Sequence, residues 1–242
     1  MVFNRIKTYF QQFRILKATR LLSVDAVRKW LDPCATFSYS QTGEDRIIDA
    51  IIGRVSEGYY VDVGCHHPQI LSNTFAFYKK GWKGINIDAN EKLIQEYQNW
   101  RPRDISLCAV ISNKKQEVVF TEFDDPAVSS LSMEHIDEWS NHRKIINKRN
   151  VTTSTLQDIL EEHMAPGNFD LLSIDVEGHD YEVLSSLNLN IYRPKLIVIE
   201  MHKFNIVNPG SSEIYEYLKV HNYNMIGYVI MNGYFLDALI KA

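Results

Sequence analysis

Acidic residues and a glycine stand where two apolar segments of this sequence end. Asp62 and Gly64 close the β-rich run at residues 59–63, and Asp88 closes the run at residues 84–88. Ligands of open α/β sheets bind outside the carboxyl ends of the strands, so we expect these residues to border a cofactor crevice. A glycine at such an end lets a ligand approach the backbone closely. The alternative is an ordinary βαβ unit with two solvent-facing aspartates.

The residues that follow Gly64 limit which cofactor fits. A dinucleotide site shows the pattern G-x-G-x-x-G, whereas Gly64 is followed by the letters CHHP. Asp88 is suitably placed to accept hydrogen bonds from a ribose diol. A nucleoside without a pyrophosphate therefore fits better than NAD, and S-adenosylmethionine is the common one.

A second group of charged residues follows two later apolar runs, at residues 169–175 and 195–202. A doubly wound sheet collects the ends of its parallel strands on one rim, so we expect this group to lie beside the first. Its members are Asp175, Glu177, His179, Asp180, Glu200 and His202.

Residues of these types suit methyl transfer to an oxygen. The reaction is an in-line attack on a sulfonium methyl group, and a hydroxyl becomes a good nucleophile only when its proton is taken up. A histidine base or a divalent cation can serve this purpose. Asp175, Glu200 and His202 form a ligand set for magnesium or manganese, although so few oxygen ligands favour a base without a tightly bound metal. The base candidates, each with the alternative of a structural hydrogen bond, are His66, His67, His179 and His202.

The order of apolar runs and helical segments predicts one α/β domain over residues 37–242. The pair Asn232-Gly233 predicts a hairpin, so the last strand is antiparallel. We therefore predict a Rossmann-like methyltransferase fold, with a mostly parallel seven-stranded sheet, a C-terminal antiparallel hairpin and helices on both faces. The predicted strands are residues 59–63, 84–88, 105–111, 169–175, 195–202, 223–231 and 234–239, with a shorter strand at 117–123.

The segment at residues 124–150 is polar and shows few apolar repeats. A long segment of this kind in a compact domain is usually a lid or a binding loop, so we predict that it covers the substrate. The residues in this segment whose side chains could take part in binding or catalysis are Ser129, Ser130, His135, Trp139 and His142.

The charge and the apolar spacing of residues 1–36 predict a basic amphipathic helical arm. Residues 1–32 contain seven Lys/Arg and two Asp/Glu. Such a helix either lies on an anionic membrane surface or packs its apolar stripe on the domain or on a second copy of the chain, and we favour packing. The predicted stripe is Phe3, Ile6, Phe10, Phe13 and Leu16, with Arg5, Lys7, Arg14 and Lys17 largely between them.

Bulk composition narrows the protein class and the compartment. The net charge is −4, and the basic arm precedes an acidic body, so we expect no nucleic-acid partner. The three cysteines are widely spaced and form no C-x-x-C pair, which predicts neither a disulfide framework nor a zinc site. Because no apolar run approaches the length of a membrane span, we expect a cytoplasmic protein, peripheral at the inner face of the membrane if the arm binds lipid.

Five motifs occur together and in order, and with them the chain resembles the FkbM family of methyltransferases over about residues 37–205. They are SYSQTGED at 38–45, YVDVGCHHP at 60–68, SNT at 72–74, GWKGINID at 81–88 and LSIDVEG at 172–178. The resemblance implies an S-adenosylmethionine-dependent O-methyltransferase that acts on a sugar or glycan of a polysaccharide or glycosylated natural product. Two positions depart from the family pattern, Cys65 and Ala89, and neither removes a charged group. The alternatives are an N-methyltransferase for a protein or small amine, and a non-catalytic nucleoside-binding scaffold.

We predict two sets of site residues from these motifs and from the chemistry of the strand ends. The catalytic set is His66, His67, Asp175, Glu177 and His202. The cofactor-binding set is Gln41, Glu44, Asp62, Gly64, Cys65, Asn73, Thr74, Asp88, Ala89, Ala109 and Asp175.

Overall fold

A seven-stranded sheet forms the centre of the chain. The computed structural model describes residues 6, 9–10, 13, 15–53 and 55–239. The strands in the described residues are β1 (Tyr59–Val63), β2 (Lys83–Asp88), β3 (Ile105–Cys108), β4 (Glu117–Phe123), β5 (Ile145–Thr152), β6 (Asn168–Ile174), β7 (Arg193–Glu200), β8 (Tyr223–Val229) and β9 (Asn232–Asp237). Strands β4 and β5 form a separate two-stranded sheet, and the other strands form the seven-stranded sheet.

The strand order in this sheet is β3-β2-β1-β6-β7-β9-β8. Strands β3, β2, β1, β6 and β7 run parallel, and β9 lies antiparallel between β7 and β8. The predicted sheet and its C-terminal antiparallel hairpin are therefore confirmed. The third parallel strand is shorter than predicted, because β3 ends at Cys108 and the chain then leaves the sheet.

Helices cover both faces of the sheet. One face carries α6 (Leu156–Glu162), α7 (Asp180–Ser185) and α8 (Glu213–Val220), and the other carries α1 (Ile15–Leu31), α2 (Glu44–Ile52) and α3 (Phe75–Lys80). Two further helices are α4 (Glu91–Trp100) and α5 (Met133–Trp139).

Side chains alternate between the two faces along each strand, and this alternation decides where Asp62 points. Val61 and Val63 belong to the core beneath α6–α8, whereas Tyr60 belongs to the core beneath α1–α3. Because strand residues two apart share a face, Asp62 is turned with Tyr60 toward α3. It accepts a hydrogen bond of 2.6 Å from Thr74, just before that helix.

The segment at residues 124–150 is not the continuous loop that its sequence suggested. It contains a 3₁₀ turn, Pro126–Val128, then α5, and from Ile145 onward it is strand β5, which pairs antiparallel with β4. Strand β5 escaped prediction because most of its side chains are exposed or half-buried, so no apolar alternation marks it. The role of this segment as a substrate lid stays a prediction.

The arm packs on the domain through a different set of residues from the predicted stripe. Tyr9, Phe13 and Ala18 are buried in the core that includes α2 and α3, whereas Ile6, Phe10 and Leu16 are exposed. Phe3 lies outside the described residues. The predicted stripe is therefore wrong at Ile6, Phe10 and Leu16 and confirmed at Phe13, and the helix over Ile15–Leu31 packs on the domain.

The outer face of α1 leaves Leu16, Trp30 and Leu31 exposed, and the basic residues Arg28 and Lys29 stand in its last turn. Contact of this face with a membrane surface or a second subunit stays a prediction, as does cytoplasmic localisation. Within the described residues, no helix combines the length and apolar character that crossing a membrane requires.

Candidate active site

A cavity of about 550 Å³ opens at the carboxyl ends of β1, β2 and β6. This volume lies within the range of about 300–1,000 Å³ that small-molecule sites occupy. Strands β4 and β5, with the loop between β4 and α5, form the wall opposite the sheet. The predicted site residues that line the cavity are Gln41, Gly64, His66, Asp88, Ala89, Ala109, Asp175 and Glu177.

Gly64 lies where β1 and β6 come closest. Its φ angle is +77°, and a Cβ atom there would stand 1.7 Å from the carbonyl oxygen of Asp175. Asp175 in turn donates its backbone N–H to Val63 over 3.0 Å. No side chain fits between the two strand ends, so a glycine is required for the backbone to form this floor of the cavity.

Asp88 is held in place by backbone hydrogen bonds at the cavity wall. Its carboxylate accepts one bond from His66 N over 2.8 Å and one from Asn90 N over 2.7 Å. Burial raises the pKa of Asp88 above its ordinary value, while these bonds act in the opposite direction. Each carboxylate oxygen has a further lone pair, so Asp88 retains the capacity to accept hydrogen bonds from a ribose diol.

Asp62 and Thr74 lie beneath the cavity and do not line it. Thr74 Oγ1 donates to Asp62 and accepts a bond of 2.9 Å from Arg101, whose Nε contacts Asp104 at 2.8 Å. The structure thus places Asp62 in a buried network that supports the end of β1. Among other predicted cofactor residues, Cys65 is buried against Tyr97 and Ile94, Asn73 bonds to Ser173, and Glu44 bonds to Thr42 and Asn232.

Acidic residues gather at the ends of β6 and β7. Burial is the largest cause that raises the pKa of Asp175 well above its ordinary value, that of Glu177 to about 8 and that of Asp180 to about 7. The negative charge of Glu200 adds to each of these shifts. The sheet therefore concentrates carboxyl groups in a small volume, where ionising all of them together is unfavourable without a positive partner.

His202 supplies one such partner. Its Nε2 lies 2.8 Å from Glu200 Oε2, and its hydrogen bond to this carboxylate raises the pKa of His202 to about 9. At neutral pH His202 therefore carries a proton and is poorly suited to remove one from a substrate.

Of the other candidate histidines, two line the cavity and one lies outside it. His66 and His179 line the cavity, and His179 Nε2 lies 2.9 Å from Ser112 Oγ. His67 lies outside the cavity wall, where its Nδ1 accepts backbone bonds from Gln69 and Ile70 and its Nε2 stands 3.3 Å from Glu96. Nδ1 of His67 is engaged in the local turn and Nε2 faces Glu96 of α4, outside the cavity, so the catalytic role suggested for His67 stays a prediction.

His135, which the sequence marked only as one polar member of the segment at residues 124–150, joins the site. It lies on α5, is 5% exposed, and places Nε2 3.6 Å from Glu177 Oε2. Its ring stands 5.9 Å from that of His202. Ligand atoms of His135, Glu177 and His202 lie within 4.8 Å of one another. The ligand set Asp175, Glu200 and His202 that the sequence suggested is not a group of this kind among the described residues, and its role stays a prediction.

The opposite wall is tied to the sheet by Arg149 of β5. Its Nη2 donates to the carbonyl of Ala89 over 2.7 Å, and its Nε donates to Glu122 over 2.8 Å. Asn147 also donates to Glu122, over 2.9 Å. These contacts fix β4 and β5 across the cavity from Asp88.

The strand order and the antiparallel β9 between β7 and β8 form the Rossmann-like methyltransferase fold that the sequence predicted, with acidic strand ends around the cavity. A sequence model for the methyltransferase FkbM domain matches residues 62–225. Because this match covers more than half of the chain, the chain belongs to the FkbM family of methyltransferases. The alternative of a non-catalytic scaffold is set aside accordingly.

Solved structures and curated sequences add little to the family assignment. A crystal structure of a TehB-like SAM-dependent methyltransferase from Corynebacterium glutamicum shares 13% sequence identity, with 90% of this chain and 99% of that chain covered at a TM-score of 0.42. No curated protein sequence matches the chain.

Replacing Asp88 with alanine is expected to weaken S-adenosylmethionine binding by about 1–3 kcal/mol, because the ribose hydroxyls lose their acceptor. Calorimetric titration of both proteins measures the difference. The matched control is Asp158→Ala, on the exposed first turn of α6, which should leave the affinity unchanged. Equal affinity of Asp88→Ala and the unaltered protein would remove Asp88 from the cofactor site.

Proposed function

We propose that the protein methylates a hydroxyl group of a sugar or glycan, with S-adenosylmethionine as the methyl donor. The observation that carries the proposal is the pair Asp175 and Glu177, which face the same cavity as Gly64 and Asp88. Carboxyl groups beside the cofactor end of the sheet can both hold an acceptor hydroxyl and take up its proton.

The residues present fit the cofactor. Gly64 leaves the backbone bare at the floor of the cavity, and Asp88 offers an anchored carboxylate to a ribose. Bound S-adenosylmethionine supplies an electrophilic sulfonium methyl group that a nucleophilic oxygen can take in an in-line displacement. The chain's own task is to align the acceptor and to receive its proton.

The wall formed by β4, β5 and their connection supports a polyhydroxylated acceptor. It presents many hydrogen-bonding groups, which match the hydroxyls of a sugar, and it includes two largely buried aromatic rings. The polar members are Glu122, Asp124, Ser129, Ser130, Asn147 and Arg149, and the aromatic members are Phe120 and Phe123.

We assign the role of proton acceptor to Asp175. His202 holds its own proton, and both nitrogens of His179 have neighbours, Ser112 at 2.9 Å and Glu182 at 3.6 Å. Asp175 lines the cavity at the end of β6, and burial and the surrounding acids raise its pKa. The raised pKa makes its ionised form a stronger base than an exposed carboxylate, and a cationic neighbour such as protonated His202 is needed to keep it ionised. His66 and Glu177, which border the same cavity, then position the acceptor.

An acceptor screen tests the proposed function. The full chain is incubated with S-adenosylmethionine labelled in the methyl group and with a panel of monosaccharide glycosides and oligosaccharides, alongside lysine peptides and small amines. We expect label in a sugar ether, a product that resists mild alkali and is identified by mass spectrometry. The acid cluster would also attract a cationic amine, so label confined to nitrogen would overturn the proposal in favour of N-methylation.

A further inference from the structure

Three side chains from separate elements converge beside the cavity. His135 comes from α5, Glu177 from the turn between β6 and α7, and His202 from the residues just after β7. Their ligand atoms lie within 4.8 Å of one another. We propose that His135, Glu177 and His202 bind a divalent transition-metal cation.

A buried ring nitrogen of His135 lacks a hydrogen-bond partner among the described residues, which supports a ligand at this position. The side chain is 5% exposed, and its Nε2 has no hydrogen-bond partner among the described residues. A buried polar nitrogen without a partner is unfavourable, and such groups in native proteins generally have a ligand, an ion or a water. Nε2 is directed at Glu177 Oε2, 3.6 Å away, so the free position lies inside the group.

The surroundings favour positive charge. Glu200 is 4% exposed and approaches His202 to 2.8 Å, and Asp175 and Asp180 belong to the same acidic cluster. A bound cation makes the ionised form of neighbouring carboxylates favourable, because it compensates their mutual repulsion. Binding of the cation would displace the second ring proton of His202, and Glu200 would orient the neutral ring as a ligand through their contact.

The donor set selects the class of metal. Two imidazoles and one carboxylate suit zinc, manganese or ferrous iron, whereas magnesium and calcium prefer oxygen ligands. Three protein ligands leave further coordination positions open. Glu177 also lines the cavity, so the site borders the side where the acceptor would bind.

An open position on a cation can hold an acceptor hydroxyl and lower its pKa. This role rests on the proposed function, whereas binding of the cation does not. The site would place a Lewis acid next to Asp175, which receives the proton.

Metal titration tests the site without any activity measurement. The full chain is freed of metal with a chelator, desalted, and titrated with Zn²⁺ by calorimetry and with Mn²⁺ by electron paramagnetic resonance, where binding attenuates the signal of the free ion. We expect one ion per chain. His135→Gln and His202→Gln should each weaken binding at least about tenfold, which is the lower range seen when even a supporting residue is lost.

His142→Gln is the matched control, since His142 is exposed on the same segment as His135 and lies outside the group. Circular dichroism and the melting temperature establish that each variant is folded. Three results would overturn the site. They are the absence of stoichiometric binding of Zn²⁺ and Mn²⁺, binding by the double variant of His135 and His202 that equals binding by the unaltered protein, and binding of Mg²⁺ that is as tight as binding of Zn²⁺ and Mn²⁺. Stoichiometric binding without sugar methylation would leave the site standing and overturn the proposed function instead.

Discussion

Asp175→Asn is expected to lower the rate of methyl transfer by about 10²–10⁴-fold, because the acceptor hydroxyl loses the group that takes up its proton. The amide has nearly the shape of the carboxylate, and the backbone bond from Asp175 N to Val63 O is unaffected. Binding of S-adenosylmethionine should therefore change much less than turnover.

Initial rates at saturating S-adenosylmethionine, together with calorimetric affinities, separate these two effects. Asp170→Asn is the matched control, since Asp170 stands on the same strand before the chain reaches the cavity and contacts Tyr59 N over 2.9 Å. The control should retain the full rate. A rate for Asp175→Asn within tenfold of that of the unaltered protein would exclude Asp175 as the proton acceptor.

Arg101→Met is expected to lower the free energy of unfolding by about 3–5 kcal/mol, because it leaves a buried carboxylate without its partner. Arg101 is fully buried and binds Asp104 over 2.8 Å and Thr74 over 2.9 Å. Its guanidinium also lies 5.1 Å from the ring centres of Tyr60 and Tyr97. Methionine fills much of the same volume but offers none of these hydrogen bonds.

Urea denaturation of both proteins measures this loss, with the slope of the transition as a check on two-state behaviour. The matched control is Arg143→Met, whose ion pair with Asp125 at 3.0 Å is partly exposed to solvent. Exposed pairs contribute about 0–1 kcal/mol, so the control should remain close to the unaltered protein. A loss below about 1 kcal/mol for Arg101→Met would show that Arg101 does not hold the end of β1, α3 and α4 together.

The sheet was predictable because its signals are local. Apolar runs such as residues 195–202 identify buried strands, and Asn232-Gly233 indicates a hairpin that the structure confirms. The predicted turn is displaced, because Asn232 and Gly233 pair within β9 and the chain turns at Ile230 and Met231. Strand β5 carries no such signal, since its stability depends on pairing with β4 and its side chains are largely exposed. The stripe of the arm was misplaced because several registers of apolar residues fit a helix, and contact with α2 and α3 selects Phe13 and Ala18.

The sequence by itself determined that acids stand at the ends of parallel strands, because the end of an apolar run and the residue after it are both visible in the chain. Asp88 and Asp175 accordingly line the cavity. Only the tertiary structure decided which neighbours these residues have. Strand alternation turns Asp62 toward Thr74, and α5 brings His135 to Glu177 and His202. These contacts join residues far apart in the chain, and their existence depends on how separate elements pack, which no local pattern records.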